Sequence, residues 1–123
     1  MTLSSETIAT LTSEVDRIIA WASTLGVSIC IDIDACAGLL HVPSLFRETS
    51  DPSTKGNGKT VLDAVIALAE NHRLTIEIEH MTDEPRLGEY YRSFGFIPYG
   101  DIGFITNLHR PPAGQDLPQA LAA

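Results

Sequence analysis

The sequence predicts a mixed α/β fold, a central sheet flanked by helices, from two periodicities that alternate along the chain. Residues 27–34 and 74–79 alternate between apolar and polar side chains, as strands with one buried face do. Residues 4–25 and 59–71 instead repeat apolar side chains every three or four positions, as amphipathic helices do. At 123 residues, the chain is expected to form a single domain over residues 1–111.

The order of these elements predicts the connections within the sheet. The strand at 27–34 and a short strand at 38–42 are predicted to form an antiparallel hairpin. The helix at 59–71 then joins strand 38–42 to strand 74–79, which is a βαβ unit with two parallel strands. A loop rich in proline, serine and threonine is expected over residues 43–55.

The last part of the chain predicts three short elements followed by a tail. They are a helix and two strands, at residues 85–94, 96–99 and 102–109. The turn between the two strands is expected at Gly100 and Asp101. Residues 112–123 are expected to be a flexible C-terminal tail.

Composition excludes several classes of function. The net charge of −8 disfavours direct binding to nucleic acid, which needs a basic surface. No run approaches the roughly 20 apolar residues of a membrane span, and the first residues lack the positive start of a signal peptide. Two cysteines, Cys30 and Cys36, do not make a disulfide scaffold. A cytoplasmic protein is therefore expected.

The segment Gly56-Asn57-Gly58-Lys59 places two glycines and a lysine at the start of a predicted helix. Free backbone N–H groups and the positive end of the helix dipole favour an anion there, so the segment fits a pyrophosphate site. A flexible loop before a capped helix is the alternative. A nucleoside triphosphate loop is a further alternative, but its pattern needs glycine where Ser53 stands.

The segment from Tyr90 to Phe96 places two tyrosines near the end of the predicted short helix. Adjacent helical residues point about 100° apart, so the two rings have different surroundings. Tyr90, Phe94 and Phe96 are predicted to enter the core, which leaves Tyr91 facing a bound ligand. Aromatic packing of both rings is the alternative.

Together, the two segments resemble the C-terminal half of the GNAT acyltransferases over residues 38–111. Residues 53–58 take the place of that family's R/Q-x-x-G-x-G/A loop, and residues 91–96 take the place of its tyrosine–(three residues)–Gly-Phe pattern. Ser53 departs from the usual arginine or glutamine, for which Lys55 or Lys59 is expected to supply the charge. The resemblance implies a mixed sheet, mostly antiparallel, with one parallel pair of strands that splay apart.

The resemblance also implies acyl-coenzyme A-dependent N-acyl transfer, with acetyl-CoA as the donor. The acceptor would be a small-molecule amine or a protein amino group, and Tyr91 would be the general acid. The cofactor would lie in the gap between strands 38–42 and 74–79. The residues expected to bind it are Val42, Leu45, Ser53, Lys55, Gly56, Asn57, Gly58 and Lys59.

Carboxylates on two predicted strands supply candidates for the remaining roles. Glu77 and Glu79 share one strand face, and Asp32 and Asp34 share another. If the two faces coincide, crowded carboxylates bind a cationic acceptor through Asp32, Asp34 and Glu79, and Glu77 acts as the base. A solvated sheet face is the alternative.

The histidines add two further candidates for the base, His41 and His80, whereas His72 and His109 are expected to be peripheral. No spacing of His, Cys and Asp predicts a metal site.

A second class of function stays open. The chain also fits a catalytically inactive GNAT-like binding or inhibitor protein that acts through its acidic surface on a protein partner. A toxin or antitoxin component is a weaker third alternative. A homodimer that completes the sheet is open as well.

Overall fold

The structure is a computed structural model that describes residues 2–114. Over those residues the chain forms three helices, five strands and one short 3-10 turn. The elements are α1 (Ser5–Thr24), β1 (Val27–Asp34), β2 (Leu39–Arg47), the 3-10 turn (Pro52–Thr54), α2 (Asn57–His72), β3 (Thr75–Met81), α3 (Pro85–Arg92), β4 (Ile97–Ile102) and β5 (Ile105–Arg110).

The five strands form one mixed sheet in the order β1-β2-β3-β5-β4. β2 and β3 are parallel, and the other three neighbouring pairs are antiparallel. The parallel pair is joined through α2, as the βαβ pattern predicts. The predicted mixed α/β class, with one parallel pair in a largely antiparallel sheet, is therefore confirmed.

The apolar face of the sheet carries the core. Val42, Ile78 and Leu108 lie side by side on β2, β3 and β5, and each is at most 1% exposed. Apolar residues of α1 and α2, together with Tyr91 of α3, pack in the same cluster. The helices thus cover one face, which leaves the opposite face to the alternating polar residues of the same strands.

β2 is longer than the sequence predicts, because it continues through Pro43 to Arg47. The register between β1 and β2 is irregular between Cys30 and Asp32, opposite Pro43. A proline lacks the N–H that a regular ladder requires, and a bulge accommodates it. The prediction of a loop from residue 43 was therefore wrong.

The hairpin between β4 and β5 turns later than predicted. Ile102 pairs with Ile105, so the loop consists of Gly103 and Phe104 instead of Gly100 and Asp101. Gly103 has a φ of 62°, which suits the first position of a two-residue hairpin loop. Gly100 instead lies at a register irregularity within β4.

The C-terminal part of the described chain is held to α2. The backbone N–H of Ala113 donates to both carboxylate oxygens of Glu70 at 3.0 Å, and Glu70 Oε1 also accepts from Arg110 at 2.6 Å. Of the predicted tail, residues 115–123 lie outside the described residues. Over residues 2–114, none of the helices has both the length and the apolar character that a bilayer crossing needs.

Candidate functional site

The parallel strands part at one point. β2 and β3 pair from Leu39 and Thr75 as far as Val42 and Ile78. Beyond these residues β2 pairs with β1 as far as Arg47, whereas β3 pairs with β5. The backbone groups that face each other across this gap therefore lack a ladder partner in the neighbouring strand.

The start of α2 lies at the same edge of the sheet, because a crossover helix begins at the carboxyl ends of the parallel strands it joins. Gly56, the N-cap residue, has a φ of 85°, and no side chain caps the first turn. A Cβ atom added at Gly58 would meet no heavy atom within 4 Å. The first turn thus combines uncapped N–H groups with open space, as an anion site requires.

Two of the predicted cofactor side chains at α2 are engaged within the fold. Asn57 Nδ2 donates to the backbone oxygen of Leu25 at 2.9 Å, which ties the start of α2 to the end of α1. Lys59 Nζ lies 3.0 Å from Asp63 one turn along, and both side chains are more than half exposed. Lys59 can exchange this partner for a ligand at little cost, because exposed pairs contribute at most about 1 kcal/mol.

The other predicted cofactor residues divide between the loop and the core. Ser53 lies in the 3-10 turn, where its backbone N–H donates to Asp51. Lys55 follows the turn and is exposed. Val42 is fully buried and Leu45 packs against the core, so these two residues would contact a ligand through their backbone.

The two tyrosines in α3 differ in burial, and the exposed one is not the one the sequence predicts. Tyr91 is 4% exposed and packs edge-on against Phe96, with ring centroids 5.9 Å apart. Tyr90 is 38% exposed and packs against Phe94, above whose ring Lys59 Nζ lies 5.8 Å from the centroid. The prediction that Tyr90 enters the core was wrong, whereas the prediction that Tyr91 faces a bound ligand stays a prediction for a buried ring. The accessible tyrosine beside the start of α2 is Tyr90, which sequence reasoning missed.

Burial also determines the acidity of both hydroxyls. Desolvation raises the pKa of Tyr91 to about 12, and the charges of Tyr90 and Glu84 act in the same direction. Burial raises the pKa of Tyr90 as well, while the positive charge of Lys59 opposes that shift. Both hydroxyls are therefore protonated donors at neutral pH.

The polar face carries a row of ionisable residues across four strands. The register places Asp32, His41, Glu77 and His109 side by side on β1, β2, β3 and β5. His41 Nε2 lies 3.4 Å from Glu77 Oε1 and 3.7 Å from Glu79 Oε2. His109 Nε2 lies 3.0 Å from Glu77 Oε2. We call His41, Glu77, Glu79 and His109 the histidine–glutamate cluster.

His109 is not peripheral, contrary to the sequence-based expectation. Its side chain is fully buried, and its ring lies 4.4 Å from that of Tyr99 between centroids. Burial lowers the pKa of His109, although the neighbouring Glu77 carboxylate opposes the shift. The contact between His109 and Glu77 depends on the register of β3 against β5, which the local sequence pattern does not specify.

The predicted acceptor carboxylates lie on this same face, as the condition stated for them requires. Asp32 is exposed beside His41. Asp34 has a role in the turn between β1 and β2, where its Oδ1 accepts from the N–H of Ala37 at 3.0 Å. His80 is apart from the cluster, because its ring lies on the helix-covered face beside Gly88. Within residues 2–114, no three His, Cys, Asp or Glu side chains are placed to hold a metal ion.

No family model matches the sequence, and no curated protein matches it. Among solved structures, the chain is similar to PH1933 from Pyrococcus horikoshii OT3, with a TM-score of 0.55 and 19% sequence identity. The alignment covers 72% of this chain and 57% of PH1933, so this chain spans little more than half the length of that protein. At this identity the similarity concerns the fold.

Proposed function

We propose that this protein is an acyl-coenzyme A-dependent N-acyltransferase, a short member of the GNAT superfamily, which transfers an acetyl group to a primary amine. The observation that carries the proposal is the parting of β2 and β3 beside the uncapped start of α2. A narrow gap with free backbone groups suits the amide-bearing arm of coenzyme A. The uncapped helix start suits its pyrophosphate.

The acceptor side of the reaction is assigned to the polar face. When bound, acetyl-CoA supplies an activated thioester. Glu79 lies one residue beyond Ile78, the last residue of β3 that pairs with β2, and therefore lies beside the gap. Glu77, with His41 against it, would accept a proton from the amine as the new C–N bond forms and the C–S bond breaks.

The raised pKa of Tyr91 limits what this residue can do for the departing sulfur. A hydroxyl with a pKa of about 12 is a weaker acid than an ordinary thiol by roughly three units. Full proton transfer to the sulfur is therefore unfavourable. Hydrogen-bond donation to the negative charge that develops on the sulfur is still favourable, so we assign Tyr91 this narrower role.

Calorimetric titration with acetyl-CoA, with ATP as the control ligand, tests cofactor binding. Micromolar binding of acetyl-CoA without comparable binding of ATP is the expected result. Failure of both ligands to bind would reject the proposed site at α2.

The tyrosine assignment is tested by turnover of an amine panel with Tyr91→Phe and Tyr90→Phe. Loss of one charge-assisted hydrogen bond in the transition state predicts a fall in kcat of about tenfold or more for Tyr91→Phe, with little change in acetyl-CoA affinity. Tyr90→Phe is the matched control. A larger loss in Tyr90→Phe would transfer the role to the accessible tyrosine.

An inactive binding protein is the second candidate, because the polar face of the sheet is open and acidic. Such a protein would present Asp32 and the histidine–glutamate cluster to a basic partner. Turnover with any amine would reject this candidate. Binding of acetyl-CoA without turnover across a broad amine panel would favour it.

A further inference from the structure

The end of the β4–β5 hairpin carries the most exposed apolar side chains of the described residues. Phe104 is 81% exposed and Ile102 is 75% exposed, and no other large apolar side chain in residues 2–114 exceeds 56%. Met81, at the end of β3, is 44% exposed. The acyl transfer outlined above uses none of these residues. Apolar side chains scattered over a surface need no explanation, whereas a contiguous group of them marks an interaction site.

The sheet register makes these side chains contiguous. Met81 of β3 pairs with Ile105 of β5, which in turn pairs with Ile102 of β4. Neighbouring strands lie about 4.8 Å apart, so the three side chains form a row about 10 Å long. Phe104 is held beside the row, because its backbone oxygen accepts a hydrogen bond from the N–H of Thr82 at 2.8 Å. We call Met81, Ile102, Phe104 and Ile105 the hairpin patch.

Carboxylates border the hairpin patch. Residues 79–84 and 97–107 contain no lysine or arginine. Glu79 lies two residues before Met81 on β3 and therefore on the same open face of the sheet. The backbone N–H of Glu84 donates to the backbone oxygen of Met81 at 3.0 Å, so the acidic turn that contains Glu84 adjoins the patch. The border of the patch is therefore acidic.

A hollow of about 370 Å³ extends from the hairpin patch along the open face. Ile102 and Ile105 line one end of the hollow, and Glu77 and Glu79 line the other. Lysine and arginine side chains bury their aliphatic stems against apolar surface and keep their charged ends in a polar environment. The hollow thus suits a long basic side chain that extends from a neighbouring apolar contact.

Charge and size select the occupant of the hairpin patch. A second copy of this chain would bring two acidic borders together, and each copy has a net charge of −8. An anionic membrane surface would be repelled for the same reason. The matching surface is that of a protein whose apolar side chains are flanked by lysine or arginine. Two turns of an α-helix span about 11 Å, which matches the row of about 10 Å.

We propose that the hairpin patch is a docking site for a basic amphipathic helix of a partner protein. The apolar stripe of that helix covers the row of Met81, Ile105 and Ile102, and Phe104 packs against its side. Its lysine and arginine side chains extend toward the acidic border and the hollow. The docking is centred outside the histidine–glutamate cluster, and it depends on neither acetyl-CoA nor acyl transfer.

Calorimetric titration with a synthetic helical peptide of leucine and lysine tests the docking. The leucines of this probe repeat every three or four positions and form one stripe. The control peptide has the same composition, with its leucines distributed around the helix. The striped peptide should bind about tenfold more tightly or better. Equal affinities would overturn the proposal, because they would show only a general attraction to an acidic protein, and so would no binding of either peptide.

Variants locate the binding on the hairpin patch. Phe104→Ser and Ile102→Ser should each weaken binding of the striped peptide by about tenfold or more, as loss of a central apolar contact does. Both side chains are largely exposed, so the variants keep the fold. Phe46→Ser is the matched control, because Phe46 is also exposed but pairs with Ser28 on the opposite side of the sheet. Wild-type affinity in either hairpin variant, or an equal loss in Phe46→Ser, would refute the site.

The acidic border is tested by the removal of two charges. Asp83→Asn combined with Glu84→Gln should weaken binding of the striped peptide and reduce its dependence on salt. Glu6→Gln combined with Asp16→Asn removes the same charge from α1 and should bind like the wild type. An equal loss in the two double variants would overturn the choice of a basic partner.

Two further measurements examine the other occupants. Sedimentation of the protein alone should show the same oligomeric state for the wild type and Phe104→Ser. A dimer that Phe104→Ser dissociates would make the occupant a second copy and overturn the proposal. Binding to phosphatidylserine vesicles that is lost in Phe104→Ser would overturn it in favour of a membrane. These experiments contain no acetyl-CoA, so rejection of the acyltransferase would leave their outcomes unchanged.

Discussion

Replacement of Gly58 provides a sharp test of the α2 site, because alanine there should affect only stability, whereas valine should also weaken ligand binding. Gly58 lies in the first turn of α2, it has no positive φ, and an added Cβ would enter open space. Alanine therefore fits the native backbone without strain. Such a glycine-to-alanine change stabilises a protein by about 0.4–1 kcal/mol, chiefly because the unfolded chain has fewer conformations.

For a domain of this size, that gain corresponds to a rise in Tm of roughly 2–5 °C. The loop pattern that residues 53–58 resemble admits alanine at the position of Gly58, whereas the branched side chain of valine would stand between a bound pyrophosphate and the backbone N–H groups of the first turn. We therefore expect Gly58→Ala to bind acetyl-CoA like the wild type and Gly58→Val to weaken the binding by about tenfold or more, which is about 1.4 kcal/mol. Thermal unfolding without ligand and calorimetric titration with acetyl-CoA measure the two effects.

Gly100→Ala in β4 is the matched control, since a Cβ atom there also meets nothing within 4 Å and the backbone φ is not positive. It should leave acetyl-CoA affinity unchanged. If Gly58→Val binds acetyl-CoA with wild-type affinity, no phosphate approaches this backbone. The start of α2 would then be an ordinary helix end, and the argument from uncapped N–H groups would fail.

Two further predictions concern stability. Because burial lowers the pKa of His109 below its ordinary 6.5, the unfolded chain binds this proton first as the pH falls. The free energy of unfolding should therefore decrease as the pH falls from 6.5 through the pKa of His109 in the folded state. Urea titrations at several pH values should show a shallower decrease for His109→Gln than for the wild type. An equally steep decrease in the variant would contradict this prediction. Asn57→Ala should lower the free energy of unfolding by about 1 kcal/mol, because it removes the side chain that donates to the Leu25 carbonyl at 2.9 Å. Urea unfolding measures this change, and wild-type stability in the variant would contradict the prediction.

Local patterns were sufficient for the parts of the fold that depend on one strand or one helix at a time. The alternation in residues 27–34 and 74–79 predicted two strands and which side chains share a face. The helix between 38–42 and 74–79 predicted the parallel pair, because a crossover of that length returns the chain in the same direction. These predictions depend only on periodicity and chain connectivity.

Contacts between segments that are distant along the chain could not be predicted from the sequence. The position of His109 against Glu77 depends on how β5 is registered on β3, and a shift of one residue would move His109 to the other face. Which of Tyr90 and Tyr91 is buried depends on the rotation of α3 about its axis, because successive helical residues point about 100° apart. Neither quantity is encoded in a short stretch of residues.

The two proposed ligands carry opposite charges, and the two faces of the sheet keep their sites apart. The start of α2 presents the positive end of a helix dipole, with Lys59 nearby, on the helix-covered side. The histidine–glutamate cluster presents its carboxylates on the open side. A chain with a net charge of −8 repels an anion at long range, so an anionic cofactor requires local positive groups of this kind. The two faces of the sheet meet at the gap between β2 and β3 beyond Val42 and Ile78. An acyl group bound from one face would therefore reach an amine bound from the other face.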